Sequence, residues 1–161
     1  MRIIAIDPGY DRMGVAILEK LDGDKEKIIF STCIETSGET EFADRLLSIG
    51  ESVENLIVDY SPIAMAIEDL FFAKNTKTAL RVASARGSII YIAKKNNIPV
   101  YEYKPNEIKI AVTGYGNANK SEIQEFIPKI IKIEKEKMLD DEIDAIAVGL
   151  TFFAREKFYK D

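Results

Sequence analysis

Residues 3–6, Ile-Ile-Ala-Ile, form an almost unbroken apolar run, the pattern of a strand buried on both faces of a sheet. The run stops at Asp7, and Pro8-Gly9 then turns the chain. Met13-Gly14-Val15-Ala16-Ile17-Leu18 and Lys27-Ile28-Ile29-Phe30-Ser31-Thr32-Cys33-Ile34 read as two further strands, with Leu21-Asp22-Gly23-Asp24 as the turn between them. Connections this short predict an antiparallel meander. Ser37-Gly38-Glu39-Thr40 ends it, with Thr40 as the expected helix cap. Across 42–57 the apolar residues Phe42, Ala43, Leu46, Leu47, Ile49, Val53, Leu56 and Ile57 then recur at helical spacing.

Beyond Pro62 the rhythm changes. Ile63-Ala64-Met65-Ala66-Ile67 is a fourth apolar run, and it too ends in an acid, Glu68. An Ala-rich helix is predicted over 76–96, a fifth strand over 99–103, and helices over 105–112, 120–131 and 141–157, with Pro105 suited to a first helical turn. The tract 129–137 alternates in charge and reads as a solvated linker or helix end. Strand–helix–strand alternation implies parallel pairing in this half. The expected fold is therefore α/β and ribonuclease-H-like: a five-stranded mixed sheet, three antiparallel strands then two parallel ones, flanked by helices. No internal repeat is visible, and 1–161 reads as a single domain.

Composition narrows the chemistry. With 161 residues, 47% hydrophobic and 30% charged, the chain is large enough for a real core and looks globular and soluble. No apolar run approaches the ~18 residues that span a membrane, and Met1-Arg2-Ile3 starts a strand rather than a signal peptide. One cysteine, Cys33, cannot make an intramolecular disulfide, so a reducing cytoplasm is expected and Cys33 reads as a small apolar residue. There is no histidine. That excludes triads and metal sites built on imidazole, and the lone Cys excludes Cys-rich zinc sites. Acid–base or metal chemistry must rest on Asp, Glu, Lys or Tyr, and carboxylate oxygens suit hard cations such as Mg²⁺ or Mn²⁺.

The net charge of −5 is unevenly spread. Residues 74–120 hold nine lysines and arginines against two acids, a balance of +7 that leaves −12 for the remainder. Such asymmetry fits a basic face for a polyanion, and equally an ordinary solvated helix surface.

The carboxylates at the strand ends carry the sharper signal. If the strands of Asp7 and Glu68 are adjacent and parallel, both acids emerge at one sheet edge, where ligands bind in open α/β sheets. Asp69 would point to the opposite face. Taken alone, Asp7 reads better as a turn-capping residue beside Pro-Gly than as a ligand. The last helix opens Asp140-Asp141-Glu142-Ile143-Asp144-Ala145-Ile146-Ala147. Asp141 and Asp144 are i and i+3 on one face, and the alanines allow close approach to the sheet. Asp140 and Glu142 read as acids complementing the helix dipole, whereas Asp144 lies among packing residues. Four carboxylates can hold two Mg²⁺ ions roughly 3.5–4 Å apart.

These residues carry a family resemblance. Ile6-Asp7-Pro8-Gly9, Ile67-Glu68-Asp69-Leu70-Phe71 followed by Ala73-Lys74-Asn75, Ala85-Arg86-Gly87, and Asp141-x-x-Asp144-Ala145-x-Ala147 resemble the RuvC family of Holliday-junction resolvases, in order along nearly the whole chain. The resemblance implies a homodimer that nicks two like-polarity strands of a four-way DNA junction, in recombination and repair, with Mg²⁺. It implies that Asp7, Glu68, Asp141 and Asp144 are the catalytic acids, that Phe71 stacks on an unpaired base, and that Lys109 and Lys120 contact DNA. Lys74, Lys77 and Arg81 are further candidates for phosphate contacts, though they read as well as exposed charges. The loop Thr113–Lys120 before a helix start is a candidate phosphate cradle. The helix region of Ala79, Ala83 and Ala85 is the implied dimer contact. Whether a branch-migration complex docks is left open.

Three other readings compete. A sugar-kinase or actin-like ATPase also has an acid followed by Gly, but needs a second lobe and a Gly-rich adenosine motif that are not visible. A non-catalytic junction or RNA binder has little reason to keep Asp144 among packing residues. A related nuclease acting on RNA or replication intermediates is the nearest rival, because its acid site looks the same.

Overall fold

The computed structural model describes residues 1–21, 24–70 and 76–156. In chain order the elements are β1 (Arg2–Asp7), β2 (Arg12–Glu19), β3 (Lys27–Glu35), α1 (Phe42–Tyr60), β4 (Ala64–Glu68), α2 (Thr76–Lys95), β5 (Val100–Tyr103), α3 (Pro105–Thr113), α4 (Lys120–Ile130) and α5 (Asp140–Arg155). They form one mixed sheet in the order β3-β2-β1-β4-β5. β2 runs antiparallel to both β1 and β3, while β4 is parallel to β1 and β5. This is the expected ribonuclease-H-like arrangement, with three meandering strands joined to two parallel ones through β1. The turn expected at 21–24 lies partly outside the described residues.

Side chains alternate across a strand, so each strand feeds two cores. On one face Ile4, Ile6, Val15, Ile17, Met65 and Ile67 pack with Ile49, Val53 and Ile57 of α1 and Ala85, Ile89 and Ala93 of α2. The opposite face is built from smaller residues: Ala5, Ala16, Ala64 and Ala66, with Ile3 and Leu18. Here α5 lies across the sheet, backed by α3 and α4. Burial of these side chains, at about 25 cal/mol per Å² of apolar surface, is the main driving force for docking the helices.

Two glycines set how closely α5 approaches. A Cβ on Gly14 of β2 would stand 1.8 Å from the carbonyl oxygen of Asp141, and one on Gly149 of α5 would stand 2.7 Å from Leu18 Cδ1. A side chain at Gly14 meets backbone and lifts the helix from the sheet, while one at Gly149 must displace the tip of Leu18. The two contacts fix α5 at its start and past its middle, and its N-terminal acids with it.

The helix ends differ in part from expectation. Thr40 does not cap α1; the cap is Glu41, with no side-chain bond to the helix. Pro105 does open α3, where Glu107 accepts from the backbone N–H of Lys104 at 2.8 Å. At α5, Glu142 is no mere dipole partner. It is 2% exposed and accepts from Ser31 Oγ at 2.6 Å, Lys135 Nζ at 2.7 Å and the backbone N–H of Leu139 at 3.2 Å. These bonds tie the start of α5 to β3 and to the preceding linker.

Candidate active site

The parity of the strands assembles the site. Ile3, Ala5 and Asp7 of β1 point one way, as do Ala64, Ala66 and Glu68 of β4 and Gly14 and Ala16 of β2. Asp7 and Glu68 therefore emerge side by side on the α5 face, at the carboxyl ends of adjacent parallel strands. The expected geometry for these two holds, and Asp69 indeed turns away, forming an ion pair with Arg86 at 3.4 Å. Arg86 also donates to the backbone carbonyl of Glu68 at 3.1 Å and pairs with Glu102, so it anchors the end of β4.

The acids crowd one another. Asp7 and Glu68 are side-chain hydrogen-bond partners. Burial, then the charges of Glu68, Asp144 and Asp141, push the Asp7 carboxyl up to about 8. Glu68 is raised as well, by burial and by Asp144, against the lowering pull of its bond with Asp7 and of the Lys109 ammonium on α3. Asp144 is raised by burial and by Asp140 and Asp141, against a hydrogen bond from Lys120. At neutral pH the site thus keeps a proton that a cation would displace.

The two α5 acids are held by basic side chains. Asp144 meets Lys120 Nζ at 3.0 Å, and Asp140 lies 3.6 Å from the same nitrogen. Asp141 is paired with Arg12 of β2 and accepts from Cys33 Sγ of β3 at 3.8 Å. Among the described residues, no three acids or cysteines stand close enough to grip an ion with the side chains so placed. The donor set nevertheless fits a hard divalent cation. Asp7 and Glu68 end adjacent strands, Asp141 and Asp144 face them from α5, the crowding pushes the Asp7 carboxyl up, and no histidine competes.

The basic residues divide. Lys109 acts on Glu68 and Lys120 on Asp144, so both stand at the acid site rather than on a remote surface. Arg81 lies on the exposed face of α2 with its guanidinium 5.4 Å from the Tyr10 ring. Phe71 and Lys74 lie outside the described residues, as does the side chain of Lys77. The loop before α4 is less open than a phosphate cradle needs. Asn119 Oδ1 accepts from the Glu122 N–H at 3.0 Å and Glu122 accepts from the Asn119 N–H at 2.7 Å, so these donors are used internally. Ala85, expected at the dimer contact, is buried within the monomer, whereas Leu80 and Tyr91 of α2 are 67% and 69% exposed.

Sequence reasoning assigned no role to Arg12 or Arg86, nor to Arg45. Buried Arg45 donates to Thr36 Oγ1 at 2.9 Å, pairs with Asp11 and stacks 3.7 Å from the Tyr10 ring, fixing the turn that follows Asp7. For Arg12 a signal was available. It is two residues before Gly14 on a strand, and so on the face of the acids.

A ribonuclease-H-like sheet bearing clustered carboxylates at the ends of its central parallel strands is the framework of a nuclease. The comparisons with known proteins agree. The model of the family described as crossover junction endodeoxyribonuclease RuvC matches residues 3–152. Relatives of that name from Petrotoga mobilis and Thermosipho melanesiensis are 48% and 40% identical to the chain. The alignments cover 92% of this chain and 91% of the first relative, and 98% and 100% for the second. The structure of the Thermus thermophilus protein in complex with Holliday junction substrate superposes with a TM-score of 0.88 at 28% identity, over 96% of this chain and 95% of that one. The chain belongs to the RuvC family of crossover junction endodeoxyribonucleases.

Proposed function

We propose that this endonuclease resolves four-way DNA junctions by paired, symmetric nicks, with Asp7, Glu68, Asp141 and Asp144 as the ligands of Mg²⁺, or Mn²⁺, at each site. Family membership makes it a metal-dependent, DNA-binding nuclease of recombination and repair. The observation that carries the finer reading is the shared face of the four acids, where Asp7 is pushed up to about 8 by burial and by its neighbours. Carboxylates forced together in this way favour any state that brings positive charge among them. Two bound divalent ions supply activation of a water and stabilisation of the leaving oxygen of a phosphodiester.

The chain's own residues do the rest. β1 and β4 hold Asp7 and Glu68 on rigid strands, and Arg86 fixes the end of β4. The Gly14 contact seats Asp141 and Asp144 opposite them. Lys109 and Lys120 place two ammonium groups at the rim, where a scissile phosphate arrives. Phe71, Lys74, Lys77 and Arg81 follow Glu68 in sequence, and we assign them to the DNA as well. A second copy is expected to dock on the outer side of α2, where Leu80 and Tyr91 are exposed. A homodimer would give the two coordinated cuts. The described residues form one sheet with its two helical layers, and we read 1–161 as one domain, at work in the cytoplasm.

The test uses a synthetic four-way junction, a flap, a linear duplex and an RNA–DNA hybrid. Asp7→Asn is expected to bind the junction in Ca²⁺ as the wild type does and to lose cleavage in Mg²⁺. Full cleavage by that variant would remove Asp7 from the metal site. Equal cutting of flap, duplex or hybrid by the wild type would move the protein to the rival nuclease class.

A further inference from the structure

Arg12 stands at the start of β2 on the same face as Gly14, and its guanidinium is paired with Asp141. The other α5 acid, Asp144, is held by Lys120, a residue already expected at the DNA. Arg12 carries no such assignment. It is paired across the β2–β3 ladder with Glu35, an exposed residue, so a second carboxylate lies within its reach. Its side chain is 47% exposed against 23% for that of Asp141, so the arginine can swing without opening the core. Asp141 also accepts from Cys33, which steadies it on the side away from Asp7 and Glu68. Arg12 and Cys33 both engage Oδ2 of Asp141, so a cation that needs this oxygen competes with the arginine for it.

We propose that Arg12 is a positioning residue that holds Oδ2 of Asp141 as an internal counter-ion and must release it, towards Glu35, before both oxygens of Asp141 can face a divalent cation. Arg12 thereby lowers the metal affinity of the site. The proposal rests on the reading of Asp141 as a metal ligand.

The test is Mn²⁺ binding to the full-length protein, followed by the electron paramagnetic resonance signal of free Mn²⁺. Removing a partly exposed ion pair that opposes binding should tighten Mn²⁺ by roughly three- to tenfold in Arg12→Gln. Arg12→Lys keeps the charge and should bind like the wild type. In an Asp141→Asn background, Arg12→Gln should change nothing further. Unchanged or weaker binding by Arg12→Gln overturns the proposal, as does tightening that persists with Asn at 141. The two readings fail differently: if Asp141→Asn alone leaves Mn²⁺ affinity intact, Asp141 is no ligand. If that variant weakens binding while Arg12→Gln is silent, only the role of Arg12 falls. Should circular dichroism show Arg12→Gln unfolded, Glu35→Gln takes its place. By removing the alternative seat it should weaken Mn²⁺ by about twofold, and equal or tighter binding overturns the proposal.

Discussion

Replacing Asp7 by Asn should stabilise the metal-free protein while abolishing its activity. The Asp7 carboxyl rises from 3.8 to about 8 on folding, chiefly through burial and then through Glu68. Between those values the folded state holds a proton that the unfolded state has lost, so stability falls as pH rises through the window and is fully retained only below it. Each pH unit inside the window is worth at most about 1.4 kcal/mol, so pH 5.5 to 8 corresponds to a ceiling of roughly 3.5 kcal/mol. For a chain of this size that is on the order of 10 °C in melting midpoint. The assay is thermal unfolding in EDTA at half-unit steps of pH, for wild type and Asp7→Asn. The wild-type midpoint should decline towards pH 8 while the variant, which keeps an amide to hydrogen-bond Glu68, declines much less and melts higher at pH 8. Adding Mg²⁺ at pH 8 should raise the wild-type midpoint and leave the variant nearly unmoved. Parallel profiles for the two proteins, or a lower midpoint for the variant at pH 8, would refute the electrostatic account of the site.

Other substitutions probe the frame around the acids. Gly14→Ala would drive a Cβ into the Asp141 carbonyl, and the shift of α5 should reduce cleavage at least a hundredfold, read in single-turnover assays, with junction binding in Ca²⁺ largely kept. Glu142→Gln removes the charge that Ser31 and Lys135 engage; its cost is expected at about 2 kcal/mol in urea unfolding at pH 7. Burial alone would raise the Glu142 carboxyl, but the bonds from Lys135 and Ser31 hold it below its usual 4.5, so its contribution is present above 4.5 and lost as pH falls below that value. The gap between Glu142→Gln and wild type should accordingly close in acid. Arg86→Ala frees the end of β4 and should lower cleavage about tenfold at unchanged salt dependence of junction binding, the mark of a residue that acts through Glu68 rather than on phosphate.

The fold was largely legible in the sequence, because the apolar runs are short, strongly patterned and punctuated by Pro and Gly. Runs ending in Asp7 and Glu68 gave both the two strands and their chemistry. What pattern alone could not reach were the partners of each charge. The sequence reading of Glu142 as a dipole acid missed Ser31, which lies more than a hundred residues earlier and meets it only when β3 and α5 close together. Arg12 and Lys120 look alike as exposed cations in a sequence, yet each is committed to a different acid of α5. Ala85, placed with Ala79 and Ala83 in the implied dimer contact, instead packs inside the monomer, a use of small residues that pattern cannot tell from an interface.

The position of α5 also bears on when the enzyme comes into being. Its two acids join a sheet whose β1 and β2 are made more than a hundred residues earlier, and its Gly149 must nest on Leu18 before the small-residue face of that sheet is covered. During synthesis the acids of β1 and β4 therefore wait for their α5 partners until residues 140–155 leave the ribosome. A chain released early, short of residue 140, exposes an apolar sheet and carries two of the four acids. Such a chain lacks the α5 half of the acid cluster, so catalytic competence arrives only with α5.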